Sequence, residues 1–237
     1  MSAKQSENPS WLLPVLFEDE FIVLINKPAG LPSQASVDKK RADLFTLLKK
    51  NFKTLFLHHR LDKDTSGIIL FSKSKQANLP LTEMFRAHAF EKTYWALSKP
   101  GKLKDDQWSI ENHLVARRKD GKSVKIFRTE SGGDYAKTDF TRLASSAECH
   151  WIEAKPITGR THQIRVHLLH SDAPILGDSL YGGKDPQVPR LMLHASSLQF
   201  PHPITGQKMQ ITAPAPADFE TLLSKWKLTP ATKSPSI

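Results

Sequence analysis

The feature that most limits how this chain can fold is a series of short β-branched or aromatic runs, each cut off by turn formers. Phe21–Ile25 reads FIVLI and ends at Asn26, Lys27, Pro28 and Gly30; Gly67–Phe71 reads GIILF and follows Asp64, Thr65 and Ser66. Apolar runs bounded in this way predict buried strands. Residues 91–98, EKTYWALS, alternate instead, with Tyr94 and Ala96 on one face and Thr93, Trp95 and Leu97 on the other. SVKIF, AKTDFTRL and CHWIEAK continue a β-rich middle, and RLMLHA and MQITA predict closing strands. Helical spacing is sparse. Leu81, Met84 and Phe85 stand at i, i+3, i+4, which predicts a short amphipathic helix to about Ala89 with Pro80 in its first turn. Thr161 is placed to cap a second helix from His162 to about His170, with Ile164 and Leu168 stacked on one side. Many strands, few helices and no βαβ alternation predict an α+β fold on a largely antiparallel sheet.

A chain of 237 residues can bury a full core as one domain or two. Residues 1–10 are polar and read as a flexible N-terminus, 11–227 as a single folded domain, and 228–237 as a flexible tail rich in turn formers. Thirty-four Lys and Arg against 24 Asp and Glu leave a net charge of +10, a surplus that favours a polyanionic partner such as nucleic acid. Dense basic runs lie at Lys39, Lys40 and Arg41 and at Arg117, Arg118, Lys119, Lys122, Lys125 and Arg128. Each fits a solvated surface loop or a phosphate contact equally well. Trp11–Phe17, interrupted by Pro14, is too short for a signal peptide or a membrane span, and a single cysteine permits no intrachain disulfide. A soluble, cytoplasmic protein is expected. Cys149 and His150 are neighbours, but adjacent strand residues point to opposite faces, so a plain free thiol is expected.

Metal and phosphate motifs are weak. His167 and His170 stand at i, i+3, yet no second cluster at ligand spacing accompanies them. ESGGDYAKT and GDSLYGG contain glycines but match neither a Walker loop nor a dinucleotide fingerprint, and read as turns. Residues 58–70, HHRLDKDTSGIIL, pose a sharper question, because Asp62 sits between Arg60 and Lys63 in an already basic chain. Asp62, Asp64, Thr65 and Ser66 fit turn residues bonding their own backbone. Equally, Asp62 fits an ionised carboxylate kept at a positive site as nucleophile or base, since a nearby guanidinium favours its charged form.

Six motifs occur in one order: Asn26–Gly30 (NKPAG), His59–Gly67 (HRLDKDTSG), Lys92–Tyr94 (KTY), Gly159–His167 (GRTHQIRVH), Gly177-Asp178 with Tyr181-Gly182, and Leu191–Ala195 (LMLHA). Together they resemble the RluA family of RNA pseudouridine synthases, over roughly Leu16 to Phe219. The resemblance implies a mixed, mostly antiparallel central sheet with peripheral helices and a catalytic cleft. It also implies a compact member without a preceding S4-like RNA-binding domain. Carried over residue by residue, Asp62 matches the catalytic aspartate and Tyr94 the tyrosine that stacks on the target base and takes the C5 proton. Arg165 matches the arginine paired with that aspartate, Arg60 the one that flips the base or fills its gap, and Leu193 an apolar wall of the uracil pocket. His59, Lys27 and Lys92 lie in matching motifs and are candidate substrate contacts; Lys27 fits a turn residue as well as a phosphate contact, and Lys92 fits a structural role.

The implied activity is that of an isomerase converting specific uridines of ribosomal or transfer RNA to pseudouridine on a flipped-out base. Such a reaction gains and loses no atoms, so no cofactor or metal is expected. RNA is the expected partner; no membrane or obligate protein partner is implied, and a monomer is expected. The rival readings are an RNA-binding or folding protein with the same cleft but no catalysis, and a metal-dependent nuclease.

Overall fold

The computed structural model describes residues 13–35, 42–119, 123–182 and 185–230. In chain order the elements are β1 (Val15–Glu18), β2 (Ile22–Lys27), α1 (Leu44–Leu48), β3 (Phe56–Leu57), β4 (Ser66–Ser72), α2 (Lys75–Arg86), β5 (Glu91–Ser98), β6 (Gln107–Lys119), β7 (Ser123–Thr129) and β8 (Asp134–Ser145). They continue with β9 (His150–Pro156), α3 (Gln163–His170), β10 (Leu193–Pro201), β11 (Lys208–Thr212) and α4 (Ala217–Lys225).

The strands form one sheet in the order β1-β2-β4-β10-β5-β9-β8-β6-β7, with β11 added to β10 and β3 to β4. Every pairing is antiparallel except β4 with β10, which is parallel and held by only two registered pairs, His194 with Ser66 and Ala195 with Gly67. That junction joins the two halves of the molecule. Gly67 has φ +110°, and a Cβ there would collide with the Ala195 carbonyl oxygen, so only glycine lets β4 approach β10. Ser66 and His194 add a buried hydroxyl–imidazole bond of 3.0 Å across it.

Apolar packing follows the strand patterns. β4 is buried along its whole length, as its continuous apolar run requires. Ile22, Leu24, Ile68 and Leu70 pack with Leu81 and Phe90, while Val23, Ile25, Ile69 and Phe71 face the opposite side with Leu44 and Leu61. A third core gathers Leu97, Ile152, Leu168, Ile175, Met192 and Phe219.

Several expectations need correction. α2 begins at Lys75, capped by the Ser74 side chain accepting from the Ala77 N–H, so Pro80 lies inside the helix. The carbonyl it leaves without a donor belongs to exposed Gln76, where water can serve. Thr161 does not cap α3; the N-cap is His162, in the left-handed conformation at φ 54° with no side-chain cap bond. Residues 163–168 of α3 are all buried, so the helix is packed all round rather than along one stripe. β7 holds the expected SVKIF strand, whereas β6 was not anticipated; the two form a hairpin, so Arg117, Lys125 and Arg128 stand on paired strands and not in a surface loop, one of the two readings of that run. Leu228, assigned to the tail, is buried in the third core, and residues 231–237 lie outside the described residues. Residues 1–10, the run at Lys39 to Arg41 and Lys122 lie outside the described residues. Among the described residues no helix is long and apolar enough to cross a membrane.

Candidate active site

The site forms where the sheet halves meet. The loop carrying Asp62 enters β4, and a Thr65 N–H to Asp62 C=O bond of 3.1 Å closes its turn. Buried Ser33 clasps this loop from below, its hydroxyl donating to the Leu61 carbonyl and accepting the Leu61 N–H at 2.8 and 3.0 Å. Lys27 braces it from the other side. Its ammonium, with no solvent exposure, donates to the carbonyls of Pro28, Leu31 and Lys63 at 2.9, 2.9 and 3.0 Å. Burial lowers its pKa to about 8, but three carbonyl acceptors offset the lost water. Lys27 therefore ties NKPAG to HRLDKD, the turn role of the two readings the sequence left open, and is absent from the cleft lining.

α3 supplies Arg165. The side chain of Gln163 makes four bonds that seat the helix start: its oxygen accepts from the Thr158 hydroxyl and the Arg160 N–H, and its amide donates to the Lys137 carbonyl and the Thr138 hydroxyl. From that anchored turn, Arg165 donates Nε and Nη2 to the two oxygens of Asp178 at 2.8 and 2.9 Å, and Nη1 to Asp62 Oδ2 at 2.9 Å. Asp178 is 1% exposed, and its Oδ1 also accepts the N–H groups of Leu180 and Tyr181. Burial disfavours the Arg165 charge, yet Asp178 first and Asp62 second outweigh it and push the pKa up. The guanidinium thus stays charged and fixed in plane. The Tyr181 ring lies 5.0 Å from it, and the Tyr181 hydroxyl bonds His162 Nδ1 at 2.9 Å. His162 Nε2 stands 3.7 Å from Asp62 Oδ2, and burial lowers its pKa, leaving a neutral ring.

Asp62, His162, Gln163 and Arg165 line a cleft of about 870 Å³. Asp62, Tyr94, Arg165, Arg60, Leu193, Lys92 and His59 all face it; Lys27 alone of the candidates does not. Tyr94 projects from β5 between its partners Ala195 and Ala154. Burial, and then the nearby Asp62 charge, push its phenol well above the usual range, so it is neutral. Leu193, nearly buried at the start of β10, forms an apolar wall. Arg60 is exposed at the rim. Lys92 donates to the Thr158 carbonyl at 3.2 Å and, desolvated by burial, has its pKa lowered to about 8. His59 faces the cleft but spends Nε2 on the Leu70 N–H at 2.9 Å; burial chiefly, then Lys92, drives its pKa down to about 3.

Sequence reasoning gave no role to Asp178, His162 or Tyr181. The first and last stand in the Gly177-Asp178 and Tyr181-Gly182 motif, but GDSLYGG was otherwise read as a turn and neither side chain was given a task. The signal was a carboxylate and a phenol inside a short glycine-bounded motif, with no way to tell what they face. Of the remaining candidates, His167 is satisfied by Thr138 and Asn112. Burial pushes the Cys149 thiol up to about 12, and it donates to the His150 carbonyl rather than meeting the ring. Among the described residues no group of three or more His, Cys, Asp or Glu stands close enough to hold a metal ion.

A deep cleft across a mixed sheet, with an arginine-held aspartate beside a tyrosine and an apolar wall, is the arrangement of a pseudouridine synthase. The chain belongs to the RNA pseudouridylate synthase family, whose sequence profile matches residues 21–170. It is 37% identical to the uncharacterized RNA pseudouridine synthase YhcT of Bacillus subtilis, over 89% of this chain and 71% of that protein. To the ribosomal large subunit pseudouridine synthase C of Vibrio cholerae it is 33% identical, over 90% of this chain and 69% of the relative. Among solved structures, human RNA pseudouridylate synthase domain containing 4 superposes with a TM-score of 0.72 at 26% identity, covering 91% of this chain and 93% of that one. The human domain containing 1 shares the fold at a TM-score of 0.77 and 24% identity, over 99% and 94% of the two chains. The chain is an isomerase acting on RNA.

Proposed function

We propose that Asp62 is the reacting carboxylate of this pseudouridine synthase and that its target uridines lie in ribosomal RNA of the cytoplasm. The observation that carries the reading is Arg165, which holds Asp62 by one oxygen at a cleft faced by Tyr94. The reaction breaks N1–C1′, turns the base and joins C5 to C1′; the C5 proton leaves and N1 gains one. Nothing is oxidised or hydrolysed, so positioning and electrostatics suffice. Attack on C1′, removal of the C2′ proton and addition to uracil C6 all begin from an ionised carboxylate. Among the described residues only Oδ2 of Asp62 accepts hydrogen bonds, which leaves Oδ1 for substrate.

Tyr94 gives the everted uracil a flat platform, worth roughly 1–3 kcal/mol in stacking. Leu193 walls it, and Arg60 at the rim enters the gap in the RNA. Unpairing costs a few kcal/mol, and these contacts offset part of it. On the β6–β7 hairpin, Arg117, Lys125 and Arg128 contact phosphates. The relatives named for the large ribosomal subunit support ribosomal over transfer RNA. The chain works as a monomer. RNA labelled with tritium at uridine C5, incubated with and without EDTA, is the test. Chelator-insensitive tritium release from ribosomal RNA fits the proposal; binding without release, or release from transfer RNA alone, overturns it.

A further inference from the structure

We propose that His162 is a positioning residue for Asp62, acting as a second donor on the oxygen that Arg165 already holds; this rests on the reading of Asp62 as the reacting carboxylate. His162 occupies a left-handed backbone position, φ 54°, which disfavours a bulky residue and is tolerated where the surroundings compensate. The ring lines the cleft and is held edge-on to Tyr181 with centroids 5.6 Å apart.

The tautomer follows from the bonds around Tyr181. Its hydroxyl oxygen accepts the Ile126 N–H at 2.8 Å and stands 2.9 Å from His162 Nδ1, the nearest acceptor for its own proton. His162 then carries its proton on Nε2, which faces Asp62 Oδ2 at 3.7 Å. The opposite tautomer would set a ring lone pair against a carboxylate, and electrostatics disfavours it. A separation of 3.7 Å is too long for a hydrogen bond. Entry of a nucleotide expels water, strengthens the attraction and closes the gap. Arg165 and His162 then both bind Oδ2, so the carboxylate cannot rotate and Oδ1 keeps its aim at the sugar or base. Through Ile126 of β7 the same relay is anchored to the basic hairpin.

Single-turnover tritium release from C5-labelled RNA tests this, read as a rate at saturation and as the enzyme concentration for half-maximal rate. His162→Ala lowers the saturating rate about tenfold or more, as expected for one bond to a charged group, and leaves the half-saturating concentration within about threefold. His162→Gln keeps the same backbone strain but restores an N–H near the Nε2 position, and recovers most of the rate. Tyr181→Phe frees the tautomer while keeping the ring over Arg165, and gives a smaller loss. The proposal is overturned by a wild-type rate in the alanine variant, by a loss confined to half-saturation, or by a glutamine variant as slow as the alanine one. Asp62→Asn run alongside separates the two ideas: if it releases tritium normally, the reading of Asp62 itself is wrong.

Discussion

Arg165 and Asp178 form a two-pronged ion pair, 2.8 and 2.9 Å long, in which the carboxylate is almost wholly buried and the third guanidinium nitrogen is left to Asp62. The geometry makes Asp178 the fixed end of the site. Asp178→Asn keeps an acceptor for the N–H groups of Leu180 and Tyr181 but removes the charge opposite a buried guanidinium. Breaking such a pair costs about 3–5 kcal/mol when one charge is left alone, and less here because Asp62 remains. The expected result is a lower urea midpoint together with slower single-turnover isomerisation. An unchanged rate would mean that Asp62 alone aims Arg165.

Asp62→Asn removes charge without much volume. It should abolish product while leaving RNA affinity within a few fold, because Arg60 and the hairpin cations are untouched. Filter binding and pseudouridine mapping on the same preparation check both halves; near-normal turnover contradicts the aspartate mechanism.

Tyr94→Phe keeps the stacking face and removes the hydroxyl. The phenol is neutral, so it can accept the C5 proton only as its own proton moves on, and the nearby Asp62 carboxylate is the available acceptor. A large fall in rate with little change in affinity is expected. Conversion at the wild-type rate would assign C5 proton removal to another group.

Lys27→Met should act on stability and not on RNA. The substitution strips the donor from three carbonyls in the cage under the Asp62 loop. Losing bonds to a charged group costs about 1.5–3 kcal/mol each in isolation, partly recovered by the apolar side chain. A lower melting temperature with RNA affinity kept in the folded protein is the prediction; selective loss of affinity would return Lys27 to the substrate contacts.

Four imidazoles, His167 and His194 buried and His58 and His59 half-buried, set an acid limit. Burial pushes the pKa of His58, His167 and His194 down to about 4 and that of His59 to about 3. Unfolded, each titrates near 6.5, so between about 4 and 6.5 the unfolded chain binds more protons than the native one. Stability therefore falls as pH drops through that window, by up to about 1.4 kcal/mol per pH unit for each group. His194→Asn should flatten the urea midpoint against pH below 6.5. The same slope in wild type and variant would show that His194 titrates alike in both states.

The apolar runs at 21–25 and 67–71 and the alternation at 91–98 were enough to specify β2, β4 and β5, because strand burial is written at a period of two residues or as a continuous run. The helix pattern at 81–85 marked α2 but not its start, which the Ser74 cap fixes; Pro80 pointed to a later first turn, and packing of Ala77 and Leu81 overrode it. β6 went unseen although Trp108, Ile110 and Leu114 keep a period of two, because polar Asn112 interrupts that face and charged residues fill the far end of the strand.

The same division holds at the site. Sequence by itself determined the family and which residue types are present, and its ordered motifs single out Asp62, Tyr94 and Arg165 as candidates without coordinates. Tertiary structure alone decided that Asp178 is the buried partner of Arg165, that His162 faces Asp62, and that Lys27 is a brace. These contacts link residues 13, 100 and 36 positions apart in the chain. A sequence states what a side chain can donate or accept. Which partner it meets depends on how the sheet brings distant loops together, and on which groups burial then strips of water.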